Sequence, residues 1–288
     1  MAGLRDIKRR ITSVRKTQQI TRAMRMVAAA KLRRAQEAVL AARPYAMRMA
    51  RLLIEIAHAQ RPAEHPLLVP HERVQTAEVV VITSDRGLAG GFNSNVLKHA
   101  QRVIAEQERR GHSVVLTLVG RKAVDFFKRR RPGQIAQTYA GLGEVRLEHA
   151  AEITRRLAAR YESGEVDEVI LVVSEFVSPL SQLPRDVQIL PVPKPAEGVE
   201  PPQEQPFESE PASAELLAAL VPKGLEVVVL RALLENQAGE HAARMAAMES
   251  ATRNTEEMIG SLTLQFNRAR QAAITRELVE IITGAEAL

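Results

Sequence analysis

Leu262-Thr-Leu-Gln-Phe-Asn-Arg-Ala-Arg-Gln-Ala-Ala-Ile-Thr-Arg-Glu-Leu-Val-Glu-Ile-Ile-Thr-Gly-Ala285 sets the architecture of this chain. The last forty residues contain no Pro, and their only glycines are Gly260 and Gly284. They continue a repeat of four and three through Leu234, Ala238, His241, Met245, Met248, Thr252, Thr255, Ile259, Leu262, Phe266, Ala269 and Ala273. That spacing is a coiled-coil signal. After it the apolar set shifts to Ile274, Leu278, Ile281 and Ile282. From Pro222 onward the chain reads as one helix of about sixty residues, some 90 Å long at 1.5 Å per residue. A helix of this length cannot bury its seam alone. It must pair with the other end of the chain or with a partner.

The other end offers a match. Leu4, Ile7, Ile11 and Val14 make a first apolar stripe, which the polar stretch Thr17-Gln18-Gln19 interrupts. Leu32, Ala35, Val39, Ala42, Ala46, Met49, Leu53 and Ile56 make a second. Pro44 falls within it, and a local bend is expected there because Pro removes a backbone hydrogen bond and crowds the preceding turn. Two long helices at opposite ends of one chain can pair antiparallel. Thr252 and Thr255 are polar where the seam prefers apolar groups. Such residues fix register, or mark where a helix turns toward another chain.

Between the ends the period changes. Pro62, Pro66 and Pro70 mark a linker over residues 61–75. Ala77-Glu-Val-Val-Val-Ile-Thr83 is a buried strand, and a Gly-rich loop, Ser84 to Gly91, leads into a helix ending near Arg110. Val114–Val119 is a second strand, and a helix over Arg121–Arg130 follows. A helix from Glu144 to Tyr161 precedes a third strand, Glu168–Val173, and Val187–Val192 is a candidate fourth. Strands alternating with helices imply a parallel or mixed α/β sheet. Seven of the fifteen prolines and five Glu crowd residues 191–211, an extended connector. The expected divisions are a helix over 1–60, an α/β domain over 76–193, the connector over 194–212 and a helix over 213–288.

Composition narrows the function. The chain has 288 residues, 45% apolar and 26% charged, so it is an ordinary globular composition. Aromatics are only 3%, which suits helices with Ala, Leu and Met seams. With no Cys, thiolate metal sites, thiol nucleophiles and disulfide regulation are excluded. No run of about 18 uncharged apolar residues exists, so no membrane span is expected. Residues 1–60 hold 14 Lys or Arg against 3 Asp or Glu, a net +11; since the whole chain carries +6, the remainder is −5. A basic helical arm on a mildly acidic body is either a solvated face, a nucleic-acid arm, or an arm that meets acidic protein loops.

Few motifs carry chemistry. Asp85-Arg-Gly-Leu-Ala-Gly-Gly91 lies between a strand and a helix, a place where phosphates bind. It is neither GxGxxG nor a P-loop, and a tight turn explains its glycines better. The His residues show no metal-ligand spacing, and His241 reads as a partnered seam residue. No Ser sits in a nucleophile elbow, and no carboxylate pair stands out as an acid–base dyad. Arg268, Arg270 and Gln271 form a donor-rich cluster late in the C-terminal helix. It is an exposed face, or a set of Arg forks for a partner's carboxylates.

At three blocks the chain resembles the gamma subunits of bacterial F-type ATP synthases. They are Ile7–Lys31, Thr83-Ser-Asp-Arg-Gly-Leu-Ala-Gly-Gly-Phe-Asn93, and Glu240-His-Ala-Ala-Arg-Met through Ile282. The resemblance covers nearly the whole chain. Many relatives have Cys where Ala89 stands, and the Pro-rich connector departs from the usual stretch. The resemblance implies an antiparallel coiled coil of the N- and C-terminal helices with an inserted Rossmann-like α/β domain near its foot. It also implies a central rotor shaft inside a ring of alpha and beta subunits, its foot on epsilon and on the c-subunit ring. Rotation driven by proton flow would cycle the beta sites, so the shaft itself has no catalytic residue, cofactor or metal. Carried over residue by residue, Arg270 and Gln271 catch beta loops, with Arg268, Thr275 and Glu277 nearby. Met24 and Arg25 face the acidic lever of beta, and Ile281 to Leu288 lie in an apolar sleeve. The expected location is the cytoplasmic face of the cell membrane, peripheral, without direct insertion and without nucleic acid. The alternative from another class is a basic coiled-coil nucleic-acid-binding or scaffold protein.

Overall fold

A computed structural model describes residues 3–59, 65–192 and 213–286. The expected connector over 194–212 lies outside the described residues. Helix α1 spans Leu4–Ala59 and helix α5 spans Ser213–Glu286, 56 and 74 residues. Asp6 lies in the first turn of α1, where a carboxylate complements the helix dipole. Pro44 lies inside α1. Pro222 lies inside α5, twelve residues before Leu234, where its repeat of four and three begins.

The remaining elements run in the order β1 (Thr76–Ile82), α2 (Phe92–Arg109), β2 (Ser113–Val119), α3 (Arg121–Arg130), β3 (Ile135–Tyr139), α4 (Leu147–Glu162), β4 (Glu168–Ser178) and β5 (Ser181–Leu190). They form a five-stranded sheet of order β3-β2-β1-β4-β5. The first four strands are parallel, and β5 returns antiparallel on β4. The fold is thus the mixed α/β class anticipated. Three strand readings need correction: β3 was not foreseen, the third expected strand, Glu168–Val173, continues to Ser178, and the fourth, Val187–Val192, overlaps only the last four residues of β5, which ends at Leu190.

Alternation along β1 assigns its two faces. Val79 and Val81 pack with Val96, Ala100 and Ile104 of α2 and with Ala123 and Phe127 of α3. Val80 and Ile82 pack on the other side with Ile153, Leu157 and Tyr161 of α4. That second cluster also takes in Ala46 and Met49 of α1 and Val221, Leu225, Val229 and Leu233 of α5. Each Val, Leu, Ile, Met or Phe among them, fully buried, contributes about 1.5–3 kcal/mol. Glu78, fully buried on β1, is held by the Thr117 hydroxyl at 2.6 Å and by Arg160 at 3.1 Å. Burial pushes its pKa up, against the hydrogen bond from Thr117 and the Arg160 charge.

The chain divides into two compact units: residues 1–29 with 244–288, and residues 30–243.

Candidate partner-contact surface

The expected contact residues Met24, Arg25, Arg268, Arg270, Gln271, Thr275, Glu277 and Ile281 all fall in the first unit. Its frame is a pair of helical segments. Ile7, Ile11, Thr21 and Ala28 of α1 are buried, and Leu4, Val14 and Gln18 are half-buried. With Arg25, also half-buried, these positions keep the repeat of three and four without a break. Gln18, within the polar stretch, therefore continues the stripe, and Thr21 carries the seam on toward Ala28.

Two contacts give the direction of pairing. The Thr21 and Thr252 hydroxyls are 2.9 Å apart, and Arg25 pairs with Glu249 at 3.6 Å. Four residues forward on α1 match three back on α5, so the segments are antiparallel. Since both helices rise equally per residue, Leu4 stands opposite the neighbourhood of Ala269, and the turns of α5 past Ala273 face no turn of α1. Exposure follows this limit. Met248 is buried; Thr252, Thr255, Ile259, Leu262, Phe266, Ala269 and Ala273 are half-buried; every residue from Ile274 to Thr283 is exposed.

The expected residues separate into two groups. Met24 and Arg25 are half-buried on α1 beside Glu249. Arg268, Arg270, Gln271, Thr275, Glu277 and Ile281 are exposed along α5. Arg270 lies 21 residues past Glu249, about 30 Å along the helix. The structure therefore brings Arg25 to a carboxylate of its own chain. It leaves the Arg270 group facing outward, with no ion pair to another described residue.

Sequence reading passed over several members of this surface. Glu249 was not foreseen as the partner of Arg25. Ile20, Met26 and Val27 expose 59%, 60% and 56% of their surface on α1, although apolar groups usually retreat from water. Ile20, Met24 and Val27 are spaced four and three apart, which puts them on one face and could have been read as a second stripe beside the seam. Arg5, Lys8, Arg9 and Lys16 lie with Thr12 and Ser13 along one exposed face of α1, which locates part of the positive charge of the arm.

The Gly-rich loop has a structural account. Asp85 accepts the Arg121 N–H at the start of α3 and the Gly141 N–H after β3, both at 2.9 Å. A carboxylate of the chain thus caps the N-terminus of α3 and ties the loop to the segment after β3. Leu88 and Gly90 adopt positive φ, 61° and 56°. The Asn93 side chain closes the loop onto Ser84 and Arg86. Among the described residues no helix is long and apolar enough to cross a membrane, and no cluster of metal-ligating side chains occurs.

A family model described as ATP synthase matches residues 3–288. An ATP synthase gamma chain of Anaeromyxobacter sp. (strain K) is 51% identical over 292 residues, covering 100% of both chains. One from Desulforamulus reducens is 50% identical over 289 residues, again covering 100% of each. Among solved structures, a chain of the Euglena gracilis mitochondrial ATP synthase OSCP/F1/c-ring in rotational state 3 has a TM-score of 0.66 at 19% identity, over 99% of this chain and 94% of that one. A chain of the Tetrahymena thermophila central stalk and c-ring has a TM-score of 0.62 at 22% identity, over 81% of this chain and 99% of that one. At those identities the likeness is one of fold. The nucleic-acid or scaffold alternative gains no support from these relatives. The length, full coverage and identity of the gamma-chain matches place this chain in the ATP synthase gamma chain family.

Proposed function

We propose that the chain is the central rotor shaft of a proton-translocating F-type ATP synthase. It is a non-catalytic subunit that couples rotation to the conformational cycle of beta catalytic sites. Its partners are the ring of alpha and beta subunits, the epsilon subunit and the c-subunit ring. It works at the cytoplasmic face of the cell membrane, held there by its partners. The division into helical ends over 1–60 and 213–288, with the α/β domain over 76–193, suits that role. The ends make the shaft and the domain meets the foot.

The observation that carries this reading is the end of α5. Ile274, Leu278, Val279, Ile281 and Ile282 are 48%, 54%, 53%, 67% and 57% exposed, past the last turn that α1 can face. A contiguous apolar helix end exposed to this extent needs a sleeve from another chain. Arg268, Arg270 and Gln271, with Thr275 and Glu277, present donors and a carboxylate just before it. In the assembled complex Arg270 and Gln271 catch beta loops in some rotary positions and not in others. Met24 and Arg25 meet the acidic lever of beta. Arg25 exchanges its exposed, weak pairing with Glu249 for a partner's carboxylate, because a single exposed ion pair is worth no more than about 1 kcal/mol. A shaft whose contacts differ with angle favours a different state in each beta subunit, which is allostery by differential contact.

The test is reconstitution. The purified chain is mixed with its alpha and beta subunits, and hydrolysis and complex mass are measured. The reading expects a complex with one copy of this chain and three of each partner. Failure to co-elute with alpha and beta subunits would refute it.

A further inference from the structure

The block Thr83–Asn93 is distinctive in the sequence, yet the shaft function leaves it without a role. In an open sheet of order 3-2-1-4 the place for a ligand is at the carboxyl ends of β1 and β4, where the winding reverses. Here the chain's own helix α5 reaches the carboxyl end of β1. Asn236 donates its side-chain amide to the Thr83 carbonyl, one residue past β1, at 3.3 Å. The next residue, Gln237, donates to the Gly143 carbonyl, after β3, at 3.1 Å. Gly239 lies against Phe92, the first residue of α2, and Gln182 of β5. A Cβ at 239 would come within 2.9 Å of the Phe92 ring and 3.4 Å of Gln182. Asn236, Ala238 and Gly239 are all buried.

Thr83 is itself a fixed anchor. Its N–H and hydroxyl both donate to the Val119 carbonyl, and the hydroxyl accepts the Ala123 N–H. Across the strand end, Gly120 packs so closely that a Cβ would stand 2.2 Å from the Thr83 carbonyl oxygen, and its φ is 89°. The block's two flanks, Thr83 and Phe92, are thus the residues that touch α5.

We propose that Asn236, Gln237 and Gly239 are positioning residues for coupling, the grip through which the α/β unit turns α5. The inference rests on the shaft reading. Apolar ridges on a helix can slip past one another by rolling or sliding. Directional bonds from adjacent residues, about 100° apart around the helix, to two separate loops oppose both movements. Gly239 adds close contact with α2 and β5. Torque delivered to the α/β unit would then enter α5 at 236–239 and travel along a helix that continues unbroken to Glu286.

The experiment uses the complete complex in sealed vesicles, with ATP hydrolysis and ATP-driven proton pumping measured on the same preparation. The chains compared are wild type, Asn236→Ala, Gln237→Ala and the double variant. Gln237 is half-buried, so its variant reports even where Asn236→Ala fails to assemble. The grip predicts that hydrolysis stays within about twofold while protons pumped per ATP fall about threefold or more in the double variant, with each single in between. A merely structural role would lower complex yield, hydrolysis and pumping in equal proportion, and that outcome overturns the proposal. So does an unchanged pumping ratio in assembled variants. Absence of pumping with the wild-type chain and all its partners would instead refute the shaft reading beneath it.

Discussion

The hydroxyls of Thr21 and Thr252 lie 2.9 Å apart across the seam of two antiparallel helical segments. Each hydroxyl also lies near a carbonyl of its own helix, Gln18 for Thr21 at 3.0 Å and Met248 for Thr252 at 2.8 Å. Two protons serve these three contacts. One hydroxyl donates across the seam while the other donates back to its own helix. The pair is therefore satisfied in either arrangement, and the seam carries a polar layer without an orphaned group.

Thr21→Val and Thr252→Val should each lower the melting free energy by about 0.5–1.5 kcal/mol. The double variant should cost less than the two singles together, because same-shape apolar groups replace both partners. Thermal unfolding of the four chains measures the cycle. Strictly additive costs would mean that the hydroxyl contact is not formed in solution.

Much of the architecture was legible because strong periods mark it. Val79 to Ile82, Val114 to Val119 and Val169 to Val173 are β-branched or apolar runs too short for helices. The first three helices of the α/β region showed their amphipathic faces. Strand β3 escaped because Ile-Ala-Gln-Thr-Tyr139 is only five residues long, follows a Pro-Gly pair and lies at the sheet edge, with none of its residues fully buried. Strand β5 was read short because its first half is polar and holds Pro184, which an edge strand tolerates. Pro222 sits inside α5, where packing holds a proline that an isolated helix would not tolerate. Thr21 was missed because the eye stops at a polar stretch, while the repeat of three and four runs through it. Arg25–Glu249 and Asn236–Thr83 join residues more than 150 positions apart, and no local pattern announces them.

Glu78 makes the stability of the α/β unit depend on pH. Burial raises its folded pKa above that of the unfolded chain. Its contribution is therefore fully present below the unfolded value, near 4.5, and is lost as pH rises through the higher folded value. Glu78→Gln removes the ionisation and should flatten this fall as pH rises above the unfolded value. Denaturant unfolding of both chains across that range measures it. Parallel pH curves would show that Glu78 does not titrate in this window.

The loop after β1 should bind no nucleotide, because it carries neither a P-loop nor a dinucleotide-binding fingerprint. Calorimetry with the purified chain should detect no ATP binding at micromolar concentrations. Asp85→Ala removes two backbone partners and should destabilise by about 0.5–2 kcal/mol, as for a lost helix cap. ATP bound tightly by the wild-type chain would contradict the account of this loop.

Arg270 and Gln271 face outward, 21 residues beyond the Arg25–Glu249 pair. If Arg270 meets a carboxylate of beta, Arg270→Ala removes a charge-assisted contact worth about 1.5–3 kcal/mol. Turnover or coupling of the assembled complex should change while assembly persists. Gln271→Ala should act in the same direction, less strongly, and the double variant should be non-additive if one loop contacts both. Variants that match wild type in hydrolysis and proton pumping would make this cluster a solvated helix face.

The most direct measurement follows rotation itself. The chain has no Cys, so Leu180→Cys, at a residue 90% exposed in the turn between β4 and β5, gives a single labelling site on it. With the alpha–beta ring fixed to a surface and a probe on residue 180, added ATP should drive rotation in one direction, in three equivalent dwells per turn. A probe that stays fixed while the same complexes hydrolyse ATP would contradict the assignment of this chain as the rotor.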